Sequence, residues 1–317
     1  MRRITLATLL AASNLIVASR PASADQIYLA LGDSITFGET DLRYVPSAGD
    51  RGYVSLVANS LASGNGGVRP GVVNLAIDGE TASSFLIGGG RVAPVAGRTD
   101  NVLAAENTNY NPANPGSQSA KFLSTVAAQR AAGNTISTLS ITLGFNDLAT
   151  QVGASSSSVA AQLASYRTSY GQVLDQIRQQ LPTTNLLVLG YFNPFPANPT
   201  SPAASLFNTY GNQLNGIIRD LALSHGGTFI DTAPAFVGRE AVLTYIAQMP
   251  AGTTVSDPAG GSLPIGNVHP NAAGYAAIAN QVLAVSPVPE PSSVALLGVG
   301  LASAAGMALR HRRIGVR

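Results

Sequence analysis

Five short apolar runs rich in Val, Ile and Leu, each followed by a longer stretch of mixed polarity, constrain this chain most: Ile27–Leu31, Val72–Ala76, Ile136–Leu143, Asn185–Tyr191 and Thr228–Ile230. Near-continuous apolar runs suit strands buried on both faces, and such strands need helices above and below them. The intervening segments supply those helices. Val159, Leu163, Tyr166, Tyr170, Val173, Ile177 and Leu181 recur in steps of three and four, and Pro182 follows as a stop. Leu206, Tyr210, Leu214, Ile217 and Leu221 form a second stripe that ends near Gly226-Gly227. Tyr275, Ile278, Val282 and Leu283 form a third, with Asn271 placed to cap it. Gly52–Ala62 and Lys121–Ala132 are shorter helical candidates. Strands alternating with helices predict a parallel sheet covered on both faces, with right-handed crossovers. Gly88–Ser119, rich in Gly, Asn and Pro, has no period and is too long for an ordinary connector, so it is read as a functional excursion or a mobile connection.

The two ends read as addresses rather than fold. Arg2 and Arg3, the apolar run Ile4–Ala12 and the small residues Ala22-Ser23-Ala24 have the three-part plan of a secretory signal peptide over residues 1–24. At the other end, Val288-Pro289-Glu290-Pro291-Ser292-Ser293 precedes apolar Val294–Leu309 and the cluster Arg310-His311-Arg312-Arg313. As a helix, 294–309 would span about 24 Å at about 1.5 Å per residue, short of a hydrocarbon core of about 30 Å. It reads as a marginal, transient anchor with its basic end in the cytoplasm. The Pro-Glu-Pro triplet, short apolar helix and basic end, taken in that order, resemble the PEP-CTERM sorting signal of Gram-negative bacteria. That resemblance implies processing of residues 288–317 by exosortase-type machinery and delivery to the cell surface or extracellular matrix.

Between these ends, residues 25–287 form one domain-sized body. Seven of the 18 basic residues and one of the 16 acidic residues lie in the terminal segments, so the body is net acidic despite the overall charge of +2. With no basic run, it offers nucleic acid no electrostatic footprint. Cysteine is absent, which excludes disulfides, thiolate metal sites and thiol nucleophiles. No cluster of His, Asp and Glu has metal-ligand spacing, and no glycine-rich phosphate loop or G-x-S-x-G elbow is present. Neither a metal nor a cofactor is expected.

Catalytic groups in open parallel sheets gather beyond the carboxyl ends of the strands. Four polar segments fall at such places: Gly32-Asp33-Ser34, Asn74 to Gly79, Gly144-Phe145-Asn146-Asp147, and Gly266-Asn267-Val268-His269 before the last helix. Ester hydrolysis needs a nucleophile, a base and donors for the oxyanion. Ser34 offers the hydroxyl, and His269 an imidazole with an ordinary pKa of about 6.5. The N–H groups of Ser34 and Gly79 and the Asn146 amide offer donors. Asp33, Asp147 and Asp231 are read as turn formers that bind loop backbone. His225, before Gly226-Gly227, is explained by its place at a helix end.

These four blocks, in this order over about Ile27 to Val285, resemble the SGNH family of GDSL-type esterases and lipases. The resemblance implies a three-layer α/β/α, flavodoxin-like fold. It assigns Ser34 as nucleophile, Gly79 and Asn146 as oxyanion donors beside the Ser34 N–H, and His269 as base. An Asp usually stands three residues before that His; here Gly266 does. The Gly266 carbonyl or the Asp257 carboxylate is left to orient the imidazole. The expected activity is that of an exported esterase or lipase acting on a small-molecule or glycan ester. The alternatives are removal of O-acetyl groups from extracellular polysaccharide, and a non-catalytic matrix or binding protein on the same fold.

Overall fold

The computed structural model describes residues 25–39, 51–64, 66–88, 107, 109–110, 116–201, 203–246, 255–256, 262–263 and 268–285. Its centre is a five-stranded, all-parallel sheet of β1 (Gln26–Gly32), β2 (Gly71–Asn74), β3 (Thr135–Thr142), β4 (Asn185–Leu189) and β5 (Thr228–Ile230), in the order β2-β1-β3-β4-β5. All five expected strands are present, and the order is that of a flavodoxin-like doubly wound sheet. Tyr28 to Leu31 of β1 are fully buried, as a central strand covered on both faces requires.

Two expected strands end two residues early. β2 stops at Asn74 rather than Ala76 because the Asn74 side chain accepts a bond from Ala76 N–H (3.0 Å). The chain beyond still reaches β1 through Leu75 N–H to Ala30 O (2.8 Å) and Ile77 N–H to Gly32 O (3.0 Å). β4 stops at Leu189, and Tyr191 pairs with the Asn215 side chain, donating its N–H (2.8 Å) and accepting from Asn215 Nδ2 (2.7 Å).

Eleven further elements surround the sheet in the described residues: helices α1 (Ser34–Phe37), α2 (Gly52–Gly64), α3 (Ala82–Ile87), α4 (Gln118–Ala131), α5 (Phe145–Ala149), α6 (Ser156–Gln180), α7 (Ala204–Ser224), α8 (Ala233–Phe236), α9 (Glu240–Leu243) and α10 (Ala272–Val285), and a 3₁₀ turn at Phe195–Ala197. α2 and α10 pack on each other, whereas α4, α6 and α7 pack among themselves, giving the outer layers. The α6 stripe is buried from Val159 to Ile177, Ser155 caps its start and the helix ends before Pro182. In α7 the buried face is Leu206, Phe207, Leu214, Ile218 and Ala222, slightly rotated from the expected stripe; Tyr210, Ile217 and Leu221 lie at its margin. α4 starts at Gln118, three residues earlier than expected, with Ser117 as its cap. A small antiparallel pair, Val255–Ser256 with Ser262–Leu263, was not foreseen.

Among the described residues no helix is long and apolar enough to cross a membrane. The expected leader 1–24, the tail 288–317 with its apolar segment 294–309, and most of Gly88–Ser119 lie outside the described residues.

Candidate active site

Ser34 opens the single turn of α1 at the exit of the central strand, and is only 7% exposed. Two glycines make this turn and its neighbour possible. Gly32 has φ of +120°, and a Cβ there would lie 1.9 Å from Thr142 O on the adjacent strand. Gly144 has φ of +136°, with Tyr166 packed against the space a Cβ would need. Asp33 caps α1 by accepting from Ile35 N–H (3.1 Å). Its carboxyl also accepts from Thr142 Oγ1 (2.8 Å) and from the Tyr191 hydroxyl. Burial pushes this carboxyl up to about 6, against those three bonds. Buried hydroxyls continue the network: Thr142 Oγ1 to Thr36 Oγ1 (2.7 Å), Thr36 to Tyr53 (2.9 Å), Tyr53 to Ser140 (3.0 Å) and Ser140 to Tyr28 (2.7 Å). The nucleophile turn is therefore tied to both β3 and α2.

The second block leaves β2 and turns at Ile77 to Glu80, where Glu80 N–H meets Ile77 O (3.2 Å) and Gly79 takes a left-handed φ of +72°. Asn74 Nδ2 reaches back to Thr36 O (2.8 Å), joining this strand exit to α1. The third block places Asn146 in the first turn of α5, buried at 6% exposure. Its Nδ2 donates to Glu80 O (2.9 Å), one residue from Gly79. The neighbouring Asp147 carboxyl accepts from Ala82 N–H at 3.0 Å, stapling α3 to α5, and burial pushes it up to about 7. Ser34, Gly79 and Asn146 are thus brought to one place by direct bonds between their segments. Among the described residues, neither the Ser34 N–H nor the Gly79 N–H has an acceptor. Asn146 Nδ2 carries a second hydrogen beyond the one given to Glu80 O.

His269 is half-buried in the segment before α10. Tyr245 N–H donates to His269 O (3.1 Å), Pro270 bridges to Thr244, and Asn271 N–H donates to Leu243 O (2.9 Å). Asn271 caps α10 as expected, accepting from Ala273 N–H (3.0 Å) and Gly274 N–H (3.1 Å). Burial lowers the imidazole to about 4. The link to Ser34 runs through α2: a Cβ on Gly52 would lie 2.9 Å from Gly38, the cap of α1, and 3.2 Å from the Tyr275 ring of α10. The described contacts do not include a hydrogen bond between Ser34 and His269. Asp257 and Gly266, the two expected orienting groups, lie outside the described residues.

The aspartates read as turn formers do bind backbone: Asp33 and Asp147 as above, and Asp231 through Ala233 N–H (3.1 Å). His225 ends α7, where its ring meets Leu221 O (2.7 Å) and Asp175 (3.1 Å). Among the described residues no group of His, Cys, Asp or Glu could hold a metal ion. Two residues with central places were missed. Glu80 follows Gly79 directly, which was a signal. Gln118, whose side chain grips Gly32, lies in an aperiodic stretch and gave none.

The fold has counterparts among known proteins. The PEP-CTERM protein-sorting motif matches residues 287–313 and marks the chain for export to the cell surface or beyond. None of the curated proteins matches the chain. Among solved structures, a protein assigned as a GDSL-like lipase from Parabacteroides merdae superposes with a TM-score of 0.53 at 16% identity, over 84% of this chain and 97% of its own. A catalytic mutant of an acetylxylan esterase from Geobacillus stearothermophilus superposes with a TM-score of 0.51 at 18% identity, over 82% and 94%. Both share the α/β/α fold. The profile of the GDSL-like lipase/acylhydrolase family matches residues 30–277, from the central strand into the last helix, and the chain accordingly belongs to this family of carboxylic ester hydrolases.

Proposed function

We propose that this esterase works by two-step acyl transfer on Ser34. The observation that carries the reading is the pair of acceptor-less N–H groups, on Ser34 and Gly79, beside the spare Nδ2 hydrogen of Asn146. Three donors on segments that are bonded to one another suit the oxyanion of a tetrahedral intermediate formed at Ser34. Ser34 Oγ attacks the ester carbonyl carbon while His269 takes its proton. The imidazolium then returns that proton to the departing alkoxide, leaving acyl-Ser34. Water attacks the acyl carbon, His269 takes the water's proton and passes it to Ser34 Oγ, and the acid is released. With its imidazole lowered to about 4, His269 is in the neutral form that accepts a proton throughout the neutral range, with less basicity than an ordinary imidazole. Its approach to Ser34 is expected to tighten when substrate binds, as such contacts commonly do. Residues 1–24 would direct export before the C-terminal signal is read.

For the substrate, delivery to the cell surface or beyond, which the C-terminal motif marks, would set the enzyme near extracellular polysaccharide. That favours acetyl or other short acyl groups on glycan as a second reading next to small soluble esters. The experiment pairs a serine-directed phosphonate with turnover of a short p-nitrophenyl ester and acetate release from acetylated glycan. Ser34→Ala is expected to abolish labelling and both turnovers; turnover that persists in this variant rejects Ser34 as nucleophile.

A further inference from the structure

Glu80 is 1% exposed and sits beside Gly79, and among the described residues no cation pairs with it. Its backbone carbonyl holds Asn146 Nδ2 (2.9 Å). Its side chain faces the other way: Oε2 accepts from Gln118 Nε2 (2.9 Å), and Oε1 meets Ser84 Oγ. Gln118 then clamps the end of the central strand, accepting from Gly32 N–H (2.6 Å) and donating its second Nε2 hydrogen to Gly32 O (2.9 Å). Through this one residue the oxyanion loop is joined both to Asn146 and, two residues before Ser34, to the nucleophile turn.

The surroundings decide the charge state. Asp33, from the β1 exit, and Asp147, on α5, face the Glu80 carboxyl and are both buried; the Tyr110 phenol faces it too, donating to Leu75 O (2.6 Å). The Lys121 ammonium of α4 lies over the Tyr110 ring at 6.0 Å. Burial, with two neighbouring acids, pushes the carboxyl up to about 8. The hydrogen bonds accommodate the protonated form. Ser84 Oγ donates to Oε1 of the charged carboxyl and has Thr81 O (3.1 Å) as a second acceptor in reach, so on protonation an O–H on Oε1 can donate to Ser84 Oγ while the Ser84 hydrogen turns to Thr81 O. Ser84 Oγ also accepts from Thr81 N–H (2.9 Å).

Building on the Ser34, Gly79 and Asn146 assignment, we propose that Glu80 is a positioning residue for ester hydrolysis, holding the oxyanion loop on the nucleophile turn through Gln118 while its carboxyl carries a proton. Loss of that proton sets a negative charge one residue from the place where the oxyanion forms, so turnover falls as Glu80 ionises.

The test compares the full chain with Glu80→Gln and Glu80→Ala on a short p-nitrophenyl ester across pH. Gln reproduces the neutral carboxyl, accepting from Gln118 and donating to Ser84. The wild type is expected to lose kcat as pH rises through about 8, whereas Glu80→Gln keeps its kcat through that range. Glu80→Ala is expected to lower kcat by about 10- to 100-fold with KM within about threefold, since a misplaced donor costs part of what a deleted one does, and Glu80→Gln restores most of that loss. A second readout needs no turnover. The Tm of Glu80→Gln relative to wild type is expected to climb between pH of about 4.5 and 8 and then level off, because only the wild type gives up a proton over that window. An alkaline limb that is identical in wild type and Glu80→Gln, or a Tm difference that is flat with pH, overturns the proposal. If Glu80→Ala does not fold, the Gln comparison still decides. Failure of Ser34 as nucleophile would show as turnover in Ser34→Ala, while the Tm comparison would still report on Glu80.

Discussion

Asn146→Ala separates the two jobs of one amide. One Nδ2 hydrogen is held by Glu80 O at 2.9 Å, so only the other is open to the oxyanion. Deleting an oxyanion donor of this kind costs about 10²–10³ in kcat, or about 2.7–4 kcal/mol. Deleting the first bond leaves the Glu80 carbonyl, in a buried setting, without its donor, at a cost of about 1–3 kcal/mol of stability. For a domain of this size each kcal/mol moves Tm by roughly 2–4 °C, so a fall on the order of 2–12 °C should accompany the kinetic loss. The assay is kcat and KM on a short p-nitrophenyl ester, taken well below the Tm of the variant so that unfolding does not enter. The expected pattern is a kcat loss of about 10²–10³ with KM little changed, because the donor acts on charge that develops only in the transition state. A folded Asn146→Ala variant that keeps more than about a tenth of wild-type kcat refutes the oxyanion role.

Arg178→Ala tests a part of the fold remote from the site. The guanidinium binds the carbonyls of His225 (2.6 Å), Gly226 (2.7 Å), Thr184 (2.8 Å) and Leu181 (3.4 Å), at the entry ends of β4 and β5. Its loss is expected to cost about 1.5–3 kcal/mol in urea unfolding and to leave kcat unchanged; a kcat drop in the folded variant would contradict that separation. Stability should also depend on pH in a definite direction. Asp33, Asp147 and Glu80 hold their protons to about 6, 7 and 8 in the folded state, above ordinary values of 3.8, 3.8 and 4.5. The folded chain therefore binds more protons than the unfolded chain across that window, and stability falls as pH rises through it. His269, lowered from 6.5 to about 4, acts oppositely, its contribution being lost as pH falls through that range. Three groups outweigh one, so Tm measured by calorimetry should be higher near pH of about 5 than near 8; a Tm that rises steadily over the same interval would show these carboxyls ionised.

Much of the layer architecture was legible because burial on both faces leaves a direct mark: Leu29 and Leu187 belong to runs that only a covered sheet tolerates. The long helices were legible because Val159 to Ile177 spans enough turns for a 3.6-residue period to register. α1, α3, α5, α8 and α9 have four to six residues each, too few for a 3.6-residue period to register; of these, α1 and α3 are started by side-chain caps, Asp33 and Thr81. Three of the four candidate blocks were legible as strand exits, and the fourth as the segment before the last helix. Their support was not. Asp33, Glu80 and Asp147 lie far apart in the chain, and only the sheet order brings these three buried acids near one another. Gln118 is one polar residue at the start of a helix, and what it grips is 86 positions away.

The order β2-β1-β3-β4-β5 also has a consequence in time. The first strand to leave the ribosome is flanked on both sides by strands that come later, so β1 stays half-paired until Thr142 has been made. At about 5–20 residues per second that interval lasts roughly 6–20 s. The central strand thus gains its second neighbour late, and this topology delays closure of the leading half of a chain that carries an export motif.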